Sequence, residues 1–247
     1  MSERVLRLRI HGLGKDFPLR DGRDTAARAL RRLVTARDGG PGCIRALVDV
    51  SFEVHAGEMV GVVGNNGAGK TTLLKLIAGI HRPSRGEIER RGDLSLLSGL
   101  GVGMVPDLTV RENVYLYGAI CRLHRARIRG IFDEIIAWAE LADFVSAPLR
   151  TLSTGMTARL AFSIARHNEA PILLLDEAMT AGDERFRRRC EEHFVACRGR
   201  DMAMLMTSHS LELVERFCER TLWLRSGEQM AFGETAAVLS AYRRWAS

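Results

Sequence analysis

A glycine-rich segment between an apolar run and a helix-like run has the composition of a phosphate-binding loop. It matches the pattern G-x-x-x-x-G-K-[ST] with the residues Gly64, Asn65, Asn66, Gly67, Ala68, Gly69, Lys70 and Thr71, and Thr72 follows. Glycines let a backbone wrap closely around phosphates with its N–H groups turned inward. The helix expected to start at Lys70 adds the positive end of its dipole. The segment therefore predicts a site for phosphate groups.

Two side chains of this loop have their own expected chemistry. Lys70 supplies a mobile positive charge to the outer phosphates, and the Thr71 hydroxyl can bind Mg²⁺. Only three of the 36 basic residues are lysines, at positions 15, 70 and 75. Because arginine is the ordinary basic residue of this chain, a lysine at this position indicates a specific requirement.

Polar residues follow two other apolar runs. Asp176 and Glu177 end the run Ile172–Leu175, and His209 follows the run Met202–Met206. In open α/β sheets, ligands bind at the carboxyl ends of strands. We expect Asp176 to hold Mg²⁺ beside Thr71, and Glu177 to orient or deprotonate an attacking water. His209 is expected at the same sheet edge, in contact with the terminal phosphate.

A second helix start offers another anion site. Ser153 is a good N-cap residue, and Gly155 permits close backbone approach. Because this turn lies in a helical block, we expect it to be too distant from its own phosphate loop to serve it. The arrangement makes sense if two chains pair and each contributes this turn to the ligand of the other.

Strands alternating with helices predict an α/β fold. Alternating apolar residues in Leu6–Ile10 and Val48–Val54 indicate antiparallel strands with one solvated face, whereas Met59–Val63 is expected to be a buried strand. We expect an α/β core with an antiparallel β subdomain at 1–97 and 169–247. The remaining units are a helical subdomain at 98–168 and an insertion at 19–45.

Composition limits the classes of partner. The net charge is +6, and the hydrophobic fraction is 46%. No apolar run of about 18 residues is present, so no membrane span is expected. The arginines are scattered without interleaved aromatic residues, which argues against nucleic acid as a partner. They are expected on solvated helix faces, with proximity to anionic lipid or to a protein partner as the alternative. The five cysteines are an odd number without a C-x-x-C pair and are expected to be free thiols.

The order of these motifs resembles that of the ATP-binding subunits of ABC transporters. The resemblance covers nearly the whole chain, and it implies a P-loop NTPase (RecA-like) core that binds ATP and Mg²⁺ and hydrolyses ATP. It also implies a homodimer with two ATP molecules sandwiched between the chains. Lys70, Glu177 and His209 match the catalytic positions, and Ser153 and Gly155 match the signature turn. By the same resemblance, Phe17 stacks on adenine and Asp183 lies in a dimer-contact loop.

Three departures from the family pattern resemble exporters of bacterial surface polysaccharides. The signature reads Leu-Ser-Thr-Gly-Met, the only glutamine is Gln229, and a long insertion precedes Ala46. The usual glutamine that contacts Mg²⁺ and the membrane partner is therefore missing, or is replaced by a group around 98–103. The resemblance implies export of O-antigen, capsule or teichoic acid glycans through a separate transmembrane permease. It places the chain peripherally on the cytoplasmic face of the inner membrane.

Two alternatives stay open at this point. One is an ABC ATPase for another cargo, or a soluble ABC ATPase without a transport role. The other is a P-loop enzyme that phosphorylates a small molecule, against which the Leu-Ser-x-Gly turn and the late histidine argue. Stimulation of ATP hydrolysis by a membrane subunit would separate these classes.

Overall fold

A computed structural model describes residues 4–18, 43–98, 101–176, 184–197 and 201–246. Most of the predicted insertion, at 19–42, lies outside these residues, as do Glu177 and Asp183. Within the described part of the chain, no helix combines the length and apolar character that a membrane span requires.

The described strands form one nine-stranded sheet in the order β4-β1-β2-β9-β8-β3-β7-β6-β5. Strands β8, β3, β7, β6 and β5 are parallel, as an α/β core requires. Strand β1 is antiparallel to both β2 and β4, and β9 is antiparallel to β8. The bounds are β1 Leu6–Pro18, β2 Cys43–His55, β3 Met59–Val63, β4 Arg85–Arg90, β5 Leu94–Ser98, β6 Ile172–Asp176, β7 Ala203–Thr207, β8 Arg220–Arg225 and β9 Glu228–Glu234.

The described helices divide between the sheet and a separate helical layer. Helices α2, α3 and α4 follow one another in the chain, contact one another and share one apolar core. Trp138 of α3 stacks on Phe162 of α4, which joins them. The bounds are α1 Lys70–Ile77, α2 Val110–Ile120, α3 Arg125–Ala139, α4 Thr154–Ala165, α5 Glu184–Cys197, α6 Leu211–Phe217 and α7 Thr235–Ala246.

The sheet curls back on itself around α1. Strands β4 and β5 lie at opposite ends of the strand order, yet only residues 91–93 join them. Because such a link spans at most about 14 Å, the two ends of the sheet must approach each other. Helix α1 contacts β2 on one side and β6 on the other. Its apolar residues are accordingly buried on all sides: Leu73, Leu74, Leu76 and Ile77.

The structure alters one expectation and adds two details of the sheet. The segment 86–97 contributes to two strands, β4 and β5, which lie in different parts of the sheet. Strand β2 begins at Cys43, inside the predicted insertion 19–45, because Cys43 to Arg45 pair with the end of β1. Strands β8 and β9 form a hairpin around Ser226 and Gly227: both residues have positive φ, 50° and 87°, as a type I′ turn requires.

Candidate active site

The phosphate loop links β3 to α1, and its glycines have distinct roles. A Cβ on Gly64 would lie 2.2 Å from the carbonyl oxygen of Leu224, and one on Gly69 would lie 2.7 Å from that of Ala46. Both positions have positive φ, so a side chain is excluded by contact and by conformation. A Cβ on Gly67 would meet nothing within 4 Å. The loop is thus packed tightly at its ends and open in its middle.

Lys70 is the first residue of α1, and its side chain turns back into the loop. The residue is 6% exposed. Its Nζ donates to the carbonyl oxygens of Gly64 at 2.7 Å and Asn65 at 3.3 Å. Because a buried ammonium group is costly without acceptors, these carbonyls stabilise the charge at the base of the loop. The ammonium group is therefore held beside the backbone that is expected to receive phosphates.

Thr71 and Asp176 meet at the carboxyl edge of the parallel strands. Thr71 Oγ1 lies 3.5 Å from Asp176 Oδ1, although the residues are 105 positions apart. Hydroxyl and carboxylate oxygens are ligands that Mg²⁺ accepts. The pair therefore fits the predicted metal site.

Thr207 is a site residue that the sequence argument missed. It ends β7 and is paired directly with Asp176 of β6. Its Oγ1 donates to Asp176 Oδ1 at 2.7 Å, which orients the carboxylate toward Thr71. Thr207 is also 1% exposed. The sequence did offer a signal for Thr207: it is a polar residue directly after the apolar run Met202–Met206, two positions before His209.

His209 and Glu177 follow two neighbouring strands. Strands β6 and β7 are adjacent and parallel, so both end at the edge that carries Asp176. His209 is exposed two residues beyond β7. Glu177 follows Asp176 directly in the chain but lies outside the described residues. Their roles toward water and the terminal phosphate stay predictions.

The predicted signature turn is an exposed helix start. Ser153 is the N-cap of α4, and its Oγ accepts a hydrogen bond from the Met156 N–H at 3.2 Å. No acidic residue occupies the first turn of α4, so the positive end of its dipole is not neutralised locally. In the described part of the chain, Ser153 and Gly155 make no hydrogen bond to their own phosphate loop. The geometry is therefore compatible with an anion supplied from outside the chain.

Phe17 lies near the phosphate loop at the end of β1. It pairs with Ile44, two residues before Ala46, whose carbonyl oxygen packs against Gly69. Its half-buried ring meets His81 edge-on at 5.4 Å, and Lys15 Nζ lies 4.9 Å from the ring centroid. The predicted stacking of Phe17 on adenine stays a prediction.

The single glutamine has a structural role. Gln229 lies in β9, and its Oε1 accepts a hydrogen bond from the Ser51 N–H of β2 at 2.8 Å. The segment expected to replace the missing glutamine, 98–103, is described only in part. Within it, Gly101 N–H donates to the hydroxyl of Tyr117 at 3.4 Å. Burial, with a contribution from Cys121, raises the pKa of Tyr117 to about 12, so this phenol stays neutral.

Comparison with known proteins agrees with this geometry. The ABC transporter family model matches residues 47–180. The chain is 38% identical to the O-antigen export system ATP-binding protein RfbB of Myxococcus xanthus, over 87% of this chain and 49% of that protein. It is 35% identical to the protein of the same name from Klebsiella pneumoniae, over 81% of each. The match to the teichoic acids export ATP-binding protein TagH of Enterococcus faecalis is 35% identical, over 98% of this chain and 53% of that protein. The chain thus spans about half the length of two of these relatives.

Solved structures show the same fold at lower identity. An ATP-binding subunit of an ABC transporter superposes with a TM-score of 0.74 and 22% identity, covering 96% of this chain and 93% of that one. A dimeric ATP-binding cassette, MJ0796, bound to ADP and Pi, superposes with a TM-score of 0.70 and 21% identity, covering 92% and 98%. The P-loop NTPase core expected from the sequence is therefore confirmed. Taken together, the loop, the residues at the strand ends and the family match show that this chain belongs to the ABC transporter family and is one of its ATPases.

Proposed function

We propose that this ATPase powers export of a polysaccharide or lipid-linked glycan across a bacterial inner membrane, as the nucleotide-binding subunit of an ABC transporter. The proposal rests chiefly on the relatives, whose names describe export of O-antigen and of teichoic acids. The altered signature turn and the missing glutamine support the proposal, because both departures resemble those of this export group.

The site residues are assigned roles from their positions. Loop N–H groups and Lys70 hold the phosphates of ATP. Thr71 and Asp176 would hold Mg²⁺, which neutralises phosphate charge when bound. Glu177 orients the attacking water and accepts its proton, and His209 contacts the terminal phosphate. Thr207 keeps the Asp176 carboxylate directed toward Thr71.

A homodimer completes each site. Ser153 and Gly155 of one chain supply a helix N-terminus to ATP held by the other, and Asp183 lies in the contact loop between them. ATP then favours the closed pair, because the second chain adds contacts that exist only in that state. Hydrolysis removes these contacts and allows the pair to reopen.

The helical subdomain, 98–168, faces a separate permease, and the catalytic parts, 1–97 and 169–247, hold the nucleotide. The chain is then peripheral on the cytoplasmic face, attached through that permease. The insertion at 19–45, of which Cys43–Arg45 lie in β2, has no role assigned.

The test is reconstitution of this chain with a candidate transmembrane permease. ATP hydrolysis should rise when the permease is present, and a lipid-linked glycan should accumulate inside inverted vesicles only with ATP. Hydrolysis that is unaffected by any membrane subunit would favour a soluble ABC ATPase. Stimulation by a different substrate, with no glycan transport, would reject the cargo.

A further inference from the structure

One side chain of the C-terminal helix contacts the phosphate loop. The hydroxyl of Tyr242 on α7 donates a hydrogen bond to Oδ1 of Asn65, with 2.9 Å between the two oxygens. Asn65 is the second residue of the loop pattern, and its side chain is exposed. Helix α7 therefore reaches the loop on its solvent side, through residues 177 positions apart.

Asn65 connects this contact to the interior of the loop. Its carbonyl oxygen accepts from the Ala68 N–H at 3.0 Å and from Lys70 Nζ at 3.3 Å. The side chain of Asn65 is thus held by Tyr242, and its backbone holds the lysine expected to bind phosphate. A change at Tyr242 can reach Lys70 through this one residue.

The tyrosine ring is held in place by two tryptophans. Trp223 meets it edge-on at 5.6 Å and 85°, and Trp245 lies 5.9 Å away. Trp223 is 7% exposed on β8 and is paired with Val63, the residue before Gly64. Strand β3, which leads into the loop, therefore lies beside β8, whose Trp223 contacts the tyrosine ring. Neighbouring strands of one sheet thus position both the loop and the tyrosine hydroxyl.

We propose that Tyr242 is a positioning residue for nucleotide binding, which acts through Asn65 to hold the phosphate loop in its receiving conformation. The inference rests on ATP being the ligand of this loop. A loop that is ordered before binding loses less conformational freedom on binding, and this raises affinity. Within the described residues, the contacts of Tyr242 are with Asn65, Trp223 and Trp245, so its effect should fall on affinity and leave the chemical step unchanged.

The test compares Tyr242→Phe with the wild-type protein. This change keeps the ring and removes only the hydroxyl. We expect the Kd for ATP, measured without Mg²⁺, and the KM for hydrolysis to rise by about 3–10-fold, the effect of one hydrogen bond. The kcat should stay within about 2-fold, and the melting temperature should be nearly unchanged. Tyr115→Phe is the matched control, because Tyr115 is also half-buried but lies on α2 against Phe132; its Kd and KM should equal the wild-type values.

A second variant tests the route through Asn65. Asn65→Ala should raise the Kd on its own, and adding Tyr242→Phe should raise it no further, because the acceptor is already gone. Additive effects, an unchanged Kd in Tyr242→Phe, or a fall in kcat at constant KM would each overturn the inference. If the wild-type protein does not bind ATP, the proposed function fails as well. If the wild-type protein binds ATP but Tyr242→Phe leaves the Kd unchanged, only the role of Tyr242 is rejected.

Discussion

Lys70 shows at the scale of one residue how a local pattern becomes a binding group. Lys70 is buried, and its ammonium group donates hydrogen bonds to two carbonyl oxygens of its own loop. These hydrogen bonds hold the ammonium group beside the loop backbone. A phosphate entering the open middle of the loop at Gly67 would therefore meet a charge that is already in place.

Replacing Lys70 by alanine should strongly reduce ATP turnover. The positive charge facing the phosphates is removed, and loss of one such preorganised donor typically costs about 10²–10³-fold in rate. Steady-state hydrolysis and ATP titration measure the effect. Lys75→Ala is the matched control on the same helix and should hydrolyse ATP normally; equal behaviour of both variants would reject the role of Lys70.

Glu177→Gln should retain ATP binding and lose turnover. The amide cannot accept the proton of water, and general-base catalysis is typically worth about 10²–10⁴-fold in rate. Size-exclusion chromatography with Mg-ATP should then show a trapped dimer. Glu184→Gln, in the first turn of α5, serves as the control. Hydrolysis at the wild-type rate in Glu177→Gln would remove this residue from the mechanism.

Helices α1 and α4 show, at the scale of elements, two uses of a helix N-terminus. That of α1 adjoins the phosphate loop of its own chain, whose ends are packed against Ala46 and Leu224. That of α4 is exposed, with Ser153 as its cap. A helix start beside a phosphate loop of its own chain can hold a ligand together with that loop, whereas an exposed start without such a loop can reach a ligand on a second molecule.

Ser153→Arg should block ATP-driven dimerisation and spare ATP binding by the single chain. The new cation lies at the positive end of the α4 dipole and occupies the space of the incoming phosphate. Light scattering with a hydrolysis-deficient background reports the dimer, and ATP titration reports binding. Thr109→Arg, which alters the capped start of α2, is the control. Dimers that persist in Ser153→Arg would contradict the shared site.

At the scale of the whole molecule, Arg220 of β8 binds both β2 and the link between β2 and β3. Glu58, 3% exposed, follows β2, and Arg220 begins β8. The Arg220 guanidinium donates to both carboxylate oxygens of Glu58 and, at 2.7 Å, to the carbonyl oxygen of Glu53. Burial alone would raise the pKa of Glu58, but the bonds from Arg220 and the His55 N–H outweigh it and lower the pKa below its ordinary 4.5.

Glu58→Gln should lower the free energy of unfolding by about 1.5–3 kcal/mol at neutral pH, the usual effect of hydrogen bonds to a charged group. Because the pKa is lower in the folded state, the stabilisation is complete above about pH 4.5 and is lost as the pH falls through the folded-state pKa. The difference from wild type should therefore shrink in acid. Urea unfolding at several pH values measures it, with exposed Glu87→Gln as control; a difference that grows in acid would reject the assignment.

The sequence by itself determined the phosphate loop, its lysine, the approach of Thr71 to Asp176 and the α/β class. These follow from local patterns, since a strand, a glycine turn and a helix start are consecutive in the chain, and parallel strands necessarily end at a common edge. The curling of the sheet around α1, the separation of β4 from β5, the support of Asp176 by Thr207 and the contact of Tyr242 with Asn65 were decided only by the tertiary structure. Each depends on strand order or on packing between segments far apart in the chain, and no local periodicity encodes which strands become neighbours.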